Sequence, residues 1–486
     1  MGLDIQALNK QYIDGVWRDG QSGKVYLDQN PYDDSVVAEF RMASVEDVDL
    51  AYRAAERAQL AWAKVNPFEK RDLFERVVRI IDENTEDIVR WIAEEIGGTF
   101  VKAMIEVMLV KNTLREAATY PLRMEGRILP STIPGKENRL LRLPVGVVGV
   151  ISPFNFPFCL SMRAVAPALA CGNGVVLKPN EASAIVGGTL IAKLFEEAGL
   201  PKGVLNVIVT EIGQIGDAFI EHPVPRVISF TGSTPVGRHI GEVASRHLKR
   251  VALELGGNSA LIVLDDANLE QAVDATVFSR FTHQGQICMC ANRAIVQRAV
   301  YDEFVARLVD RVASLQCGNP LDKDTVIGPL IHRRQVDAVL RVVEESVAQG
   351  AKVAYRGPVE GNVVGPIVLT DVTEEMACAR QEMFGPVLAV IPVDSEEEAI
   401  RIANHSDFGL SGAVHTQSVE RGVAVAMRIE SGMVHVNDGT VNDEPLVAFG
   451  GEKASGIGRY NGEWALEEFT TVKWISIQHE RRSYPI

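Results

Sequence analysis

The sequence predicts an α/β protein of two parallel-sheet units with small β arms, and two observations carry that prediction. From Val145 onward, apolar β-rich runs alternate with helical ones: VGVVGVIS, SMRAVAPALACG, GVVLKP and ASAIVGGTLIAKLFEEAGL, then GVLNVIVT, a helix after Gly213, RVISFTG and a helix over 234–245. Strands alternating with helices imply parallel βαβ units, and continuously apolar strands such as GVVLK suit a sheet covered on both faces. After Gly256 and Gly257 the alternation restarts with ALIVL and a long helix from Leu269, and it runs on to Asn437.

The remaining segments fill in around these units. Tyr12 to Phe40 mixes β-formers with turn pairs such as Asp14-Gly15 and Asp19-Gly20, which predicts small strands and hairpins. From Ser44 to Gly97 the pattern is helical; Ser44 with Asp47 three residues on marks the start, and a further helix covers 101–118. The stretch 122–143 and the tail after Leu466 alternate apolar residues without a core of their own, as strands that pair with another subunit would.

Composition narrows the class. The 486 residues are 47% hydrophobic and 23% charged, as in a globular protein with a sizeable core. A formal net charge of −15 repels polyanions, so neither nucleic acid nor an anionic membrane is an expected partner. The six cysteines are sparse and irregular, and only Cys288 and Cys290 lie close together, so neither a disulfide framework nor a structural metal site is expected. The N-terminal MGLDIQALNKQYIDGVW lacks the basic and apolar regions of a signal peptide, and no run is long enough to span a membrane. A cytoplasmic location is the expectation.

Four separated segments bear chemistry: PFNFP at 153–157, LELGG at 253–257, GQIC at 285–288 and EMFGP at 382–386. Cys288 follows a flexible glycine segment that lets its backbone N–H approach a bound substrate; it is either a nucleophile or a small buried hydrophobe. Cys290, two residues on, shares its face only on a strand. Asn155 sits between two aromatics and two prolines, in a loop stiff enough to aim an amide at a developing oxyanion, or simply in a turn. Glu254 closes the apolar run VALEL, where burial raises a carboxyl pKa toward that of a general base; a salt-bridged strand end is the other reading. Lys178 and Glu181 follow the strand GVVL at the end where α/β sheets bind ligands, or form a solvated pair. Gly232 and Ser233 precede a helix whose N–H groups suit a pyrophosphate. The spacing to Gly237 is GxxxxG, not the usual dinucleotide fingerprint.

Taken together, in this order and spacing, these segments resemble the aldehyde dehydrogenase superfamily, and KPNE at 178–181, FTGS at 230–233 and FGGEKASGIGR at 449–459 extend the likeness over nearly the whole chain. The resemblance implies a Rossmann-like cofactor-binding domain over 1–121 and 144–254, a second α/β catalytic domain over 255–443, and β oligomerisation arms at 122–143 and 466–486. It makes Cys288 the nucleophile that forms a thiohemiacetal and then a thioester. Asn155 and the Cys288 N–H become the oxyanion hole, and Glu254 activates the hydrolytic water. Lys178, Glu181, Gly232, Ser233, Glu382 and Phe384 are expected to hold the cofactor. Glu181 favours NAD, because a carboxylate accepts from ribose hydroxyls and repels a 2′-phosphate; NADP is the alternative. Many relatives carry an acid after the GxGR motif, where this chain has Tyr460, so any role of that acid is in doubt here.

SMRAVAPALA, HQGQICM and VNDEP look like the branch of vanillin, benzaldehyde and salicylaldehyde dehydrogenases. Phe154, Phe156 and Phe449 imply an apolar pocket for a planar ring, with Phe156 and Phe449 sandwiching it. Arg163 either faces that pocket and meets a ring hydroxyl or is a solvated helix arginine. A semialdehyde or aliphatic aldehyde is the alternative substrate, with Arg163 then a carboxylate clamp. A CoA-acylating enzyme is disfavoured by Glu254, and a non-catalytic protein on the same scaffold by the retention of Cys288, Glu254 and Asn155 together. A homodimer or homotetramer is expected.

Overall fold

The computed structural model describes residues 8–486. The reading of the extreme N-terminus as no signal peptide falls partly on residues 1–7, outside them. Two large sheets organise the chain. In the first, eight-stranded sheet the order is Val16–Arg18, Gln11–Ile13, Leu205–Val207, Gly174–Lys178, Val147–Ile151, Val227–Thr231, Arg250–Glu254 and Gly456–Ile457. The five strands from Leu205–Val207 to Arg250–Glu254 are parallel, and the edges are antiparallel. The second, seven-stranded sheet runs Lys352–Arg356, Ile367–Thr370, Val387–Val393, Ala291–Gln297, Ser259–Val263, Ser411–His415 and Met433–Val436. It is parallel except for its first strand. The strands GVVLK, SALIV and ANRAIVQ are buried at every position, as expected when helices cover both faces.

Local chemistry sets the helix boundaries. Ser44 and Asp47 form a reciprocal capping box at the start of Val45–Trp62. Gly97, with φ +66°, ends Thr85–Ile96 in the left-handed conformation glycine tolerates. The run 182–200, which the sequence predicts to be helical, is instead a 3-10 turn over Glu181–Ser183, a π turn over Ile185–Thr189 and a short helix, Leu190–Glu197. The buried Glu95 carboxylate accepts from the Ile185 and Val186 N–H groups at 2.6 and 2.8 Å, and Gly187 packs within 2.8 Å of a Pro157 carbon if given a Cβ. These contacts shape the segment more than its periodicity does. The single helix expected after Gly213 is two four-residue turns, Ile212–Ile215 and Ala218–Glu221.

The segments read as intersubunit arms pair with one another. Lys136–Pro144 lies between Gly126–Leu129 and Thr470–Gln478 in a three-stranded antiparallel sheet. Among the described residues, no helix is long and apolar enough to cross a membrane.

Helix Val45–Trp62 packs on the first sheet at Gly149. A Cβ there would meet the Tyr52 hydroxyl at 2.4 Å and Phe219 at 2.9 Å, while that hydroxyl donates to the Phe219 carbonyl. Gly149→Ala is therefore expected to destabilise the protein by about 1–3 kcal/mol through overpacking. The double variant with Tyr52→Phe should lose less than the two single changes summed. Denaturant midpoints of the four proteins check this; strict additivity would show that the hydroxyl is not the obstacle.

Candidate active site

The two large sheets present opposite ends to one cleft. The first contributes the carboxyl ends of its parallel strands: PFNFP follows Val147–Ile151, Gly232 and Ser233 follow Val227–Thr231, and Glu254 ends Arg250–Glu254. The second contributes the segments that lead into its strands, with Cys288 shortly before Ala291–Gln297 and Glu382 and Phe384 before Val387–Val393. Ligands bind outside the carboxyl ends of such strands because loops diverge there and helices begin there. A cavity of about 410 Å³ in this cleft is lined by Asn155, Gly232, Ser233, Cys288, Glu382 and Phe384, among others.

Cys288 is presented by an unusual loop. His283, Gln284 and Gly285 have φ of +51°, +55° and +74°, three successive left-handed residues of which two are not glycine. Each such non-glycine residue costs about 1–3 kcal/mol, so the surroundings must hold it. The buried Arg280 guanidinium donates to the Gly285 and Gly385 carbonyls and, at 3.1 Å, to Asn292. Gln284 donates to the Gly97 and Pro329 carbonyls, both at 2.9 Å, and Gln286 accepts from the Ile331 N–H at 3.1 Å. Gly257 lies against the loop so closely that a Cβ would sit 2.1 Å from the Cys288 carbonyl oxygen. Cys290 is buried and its thiol contacts the Arg280 carbonyl.

The Asn155 amide donates to the Gln286 carbonyl at 2.9 Å. A primary amide has two N–H donors, so this bond fixes the side chain beside Cys288 and leaves one donor for an oxygen on a bound substrate. The loop behind it is anchored from below. The Cys159 N–H, in the first turn of helix Pro157–Ala170, donates to Glu106 at 3.0 Å. Glu106 pairs with the fully buried Lys102, whose ammonium lies 4.3 Å from the Phe156 ring centroid.

Burial dominates the electrostatics. Glu254 is 2% exposed, neither of its oxygens has a protein hydrogen-bond partner, and burial pushes its carboxyl up to about 8 against the pull of Arg163 and Arg459. A Cβ on Gly450 would stand 2.9 Å from a Glu254 oxygen, so only glycine lets the carboxylate sit there unobstructed. Burial also raises the Cys288 thiol well above its ordinary value; Glu382 and Glu254 add to the shift and Arg163 opposes it. Glu382 is raised to about 7 by burial, although the Gly257 N–H donates to it at 3.0 Å.

The remaining expected residues divide. Phe384 packs edge-on against Phe154 at 6.0 Å. Lys178 is buried at the end of its strand, 3.9 Å from Glu181; neither residue is among those lining the cleft cavity. Phe156 stacks edge-on against His283 at 5.4 Å and lies under Lys102. Arg163 is not a solvated helix arginine. At 5% exposed it pairs with Asp443 and lies 3.9 Å from the Phe449 ring centroid. Tyr460, at the position of doubt after the GxGR motif, is buried with its hydroxyl 2.6 Å from that of Ser229 and donating to the Ala252 carbonyl. Sequence reasoning misses Asp443, Arg280, Gln286 and Gly257 as functional residues, although Asp443, Gln286 and Gly257 lie inside segments that stand out.

A dinucleotide fits the cleft on the chain's own features. Ser233 starts the 13-residue helix Thr234–Arg246 without a side-chain capping bond, so its hydroxyl and the first helical N–H groups are open to an anion. A Cβ on Gly256 would meet a Glu382 oxygen at 2.5 Å, so glycine there keeps the carboxylate's approach clear.

The model of the aldehyde dehydrogenase family matches residues 17–475. Benzaldehyde dehydrogenase YfmT of Bacillus subtilis strain 168 is 60% identical over 483 residues, covering 99% of this chain and 100% of that protein. An NAD-dependent benzaldehyde dehydrogenase from Corynebacterium glutamicum has a crystal structure that superimposes with a TM-score of 0.91 at 45% identity, over 99% of this chain and 98% of that one. A salicylaldehyde dehydrogenase from Pseudomonas putida G7, solved with salicylaldehyde, gives 0.95 at 38% identity, over 98% and 99%. With the family's model matched over nearly its whole length, the chain belongs to the aldehyde dehydrogenase family.

Proposed function

We propose that the protein oxidises aromatic aldehydes of the benzaldehyde, vanillin and salicylaldehyde type to their carboxylates, with NAD as oxidant. The observation that carries the reaction is the Asn155 amide bonded to the Gln286 carbonyl, beside Cys288, with the buried, unpartnered Glu254 carboxyl close enough to raise the Cys288 thiol. The substrate class is supported by the three named relatives, and NAD by the NAD-dependent enzyme from Corynebacterium glutamicum.

In this reading the Cys288 thiol, held protonated at rest by burial, loses its proton to solvent and attacks the aldehyde carbon as the thiolate. The second Asn155 N–H and the Cys288 backbone N–H receive the oxyanion of the thiohemiacetal. The nicotinamide cofactor accepts the hydride when bound. Gly232, Ser233, Glu382 and Phe384 would hold it in the cleft, and Lys178 and Glu181 would hold its adenosine ribose. Glu254 then takes a proton from water, which releases the acid from the Cys288 thioester. The reading also keeps the division of the chain into 1–121 with 144–254, 255–443, and arms at 122–143 and 466–486. Exposure of Ile128 (74%), Val472 (60%) and Trp474 (62%) on the three-stranded sheet supports its use between subunits of a cytoplasmic homodimer or homotetramer.

A panel of aldehydes tests the substrate class: kcat/KM for benzaldehyde should exceed that for propanal by about three- to tenfold from ring contacts alone. NAD should be preferred to NADP, and Glu181→Gln should narrow the difference. Propanal or succinic semialdehyde outperforming every ring by tenfold would contradict the aromatic reading, and equal use of the two cofactors would contradict the part given to Glu181. Glu254→Gln should still produce a rapid burst of NADH and then turn over about 10²–10⁴-fold more slowly. Because a raised carboxyl acts as a base only once deprotonated, wild-type thioester hydrolysis should rise as pH passes through about 8, and the glutamine variant should lose that limb. Rapid mixing across pH reads both; a burst lost together with the steady rate would give Glu254 an essential part before hydride transfer.

A further inference from the structure

The surroundings of Arg163 hold a charge arrangement that the reaction itself does not require. One edge of its buried guanidinium is taken by Asp443, its face lies on Phe449, and Nη1 is buried with no hydrogen-bond partner. Asp443 is gripped from the other side as well. Its second oxygen accepts from the Asn461 amide at 2.9 Å, and that amide also donates to the Glu444 carbonyl at 2.9 Å. Asn461 itself stands in the left-handed region at φ +66°. The carboxylate therefore has little freedom to leave the guanidinium.

A bare guanidinium in such a site would be a carboxylate clamp, since its fork matches two carboxylate oxygens. Paired with Asp443 it carries no net charge and has one edge already occupied. The neighbouring cavity, about 310 Å³, repeats the pattern. Asp443 and Glu444 line it together with Phe449, His435 and Asn442, and no lysine or arginine does. Burial holds the His435 ring below the ordinary histidine value, so it adds no positive charge near neutral pH. This cavity shares no lining residue with the larger cleft around Cys288.

We propose that Asp443 is a specificity-determining residue: by neutralising Arg163 it makes the aldehyde pocket refuse substrates that bear a carboxylate and accept uncharged rings. The inference rests on the reading of Arg163 and Phe449 as pocket residues. A carboxylate-bearing aldehyde would have to displace Asp443 or lie beside it as a like charge, and either is costly away from water.

The test compares wild type, Asp443→Asn, Arg163→Met and the double variant, with 4-carboxybenzaldehyde against benzaldehyde and succinic semialdehyde against butanal. Asparagine keeps an oxygen for Asn461 and removes the charge; Asp443→Ser serves if the amide variant misfolds. The kcat/KM ratio of charged over uncharged substrate should rise about tenfold or more in Asp443→Asn, and the gain should vanish in the double variant. A ratio unchanged in both pairs, or a gain that persists without Arg163, overturns the proposal. A gain confined to the aliphatic pair, with no turnover of benzaldehyde by any form, supports the part given to Asp443 and overturns the aromatic reading instead.

Discussion

The site depends on holding three successive left-handed residues, His283, Gln284 and Gly285, in front of Cys288. Left to themselves the two non-glycine members would relax to ordinary backbone. They persist because buried donors on Arg280 and Gln284 tie this turn to the segments that carry Gly97, Pro329 and Gly385, and because Gly257 closes against the Cys288 carbonyl. Those partners come from distant parts of the chain. The loop is thus correct only when both large sheets are assembled, which makes the nucleophile's position a property of the whole fold.

The same assembly sets the electrostatics. Bringing the carboxyl ends of one sheet against the leading segments of the other buries Glu254, Glu382 and Cys288 together, and desolvation raises all three. A neutral resting thiol beside a carboxyl that titrates near 8 keeps charge out of the interior until a substrate arrives. Arg163 opposes the shifts of both Glu254 and Cys288, and Asp443 pairs with it. Little in this balance comes from exposed ion pairs, which are numerous on the surface and individually weak.

The α/β alternation was legible because buried parallel strands such as GVVLK and SALIV announce themselves as unbroken apolar runs. Ser44 and Asp47 likewise carry their capping chemistry in their spacing. The segment 182–200 is not legible as interrupted, because the interruption is imposed by Glu95, some 90 residues away. Cys288, Asn155 and Glu254 stood out through short motifs, whereas Arg163 was undecidable: one helix face cannot reveal whether it meets solvent or an aspartate 280 residues further on. Arg280 gives no sequence signal; its importance lies in two carbonyls that only the folded chain brings to it.

The central claim is that the acyl group is carried by Cys288. The most direct measurement is to quench the Glu254→Gln enzyme during turnover of benzaldehyde with NAD and locate the benzoyl group by peptide mass spectrometry. The account predicts one benzoyl group per chain, on the sulfur of Cys288 and not on Cys290. An NADH burst with no acylated peptide, or acylation at any other residue, would contradict it.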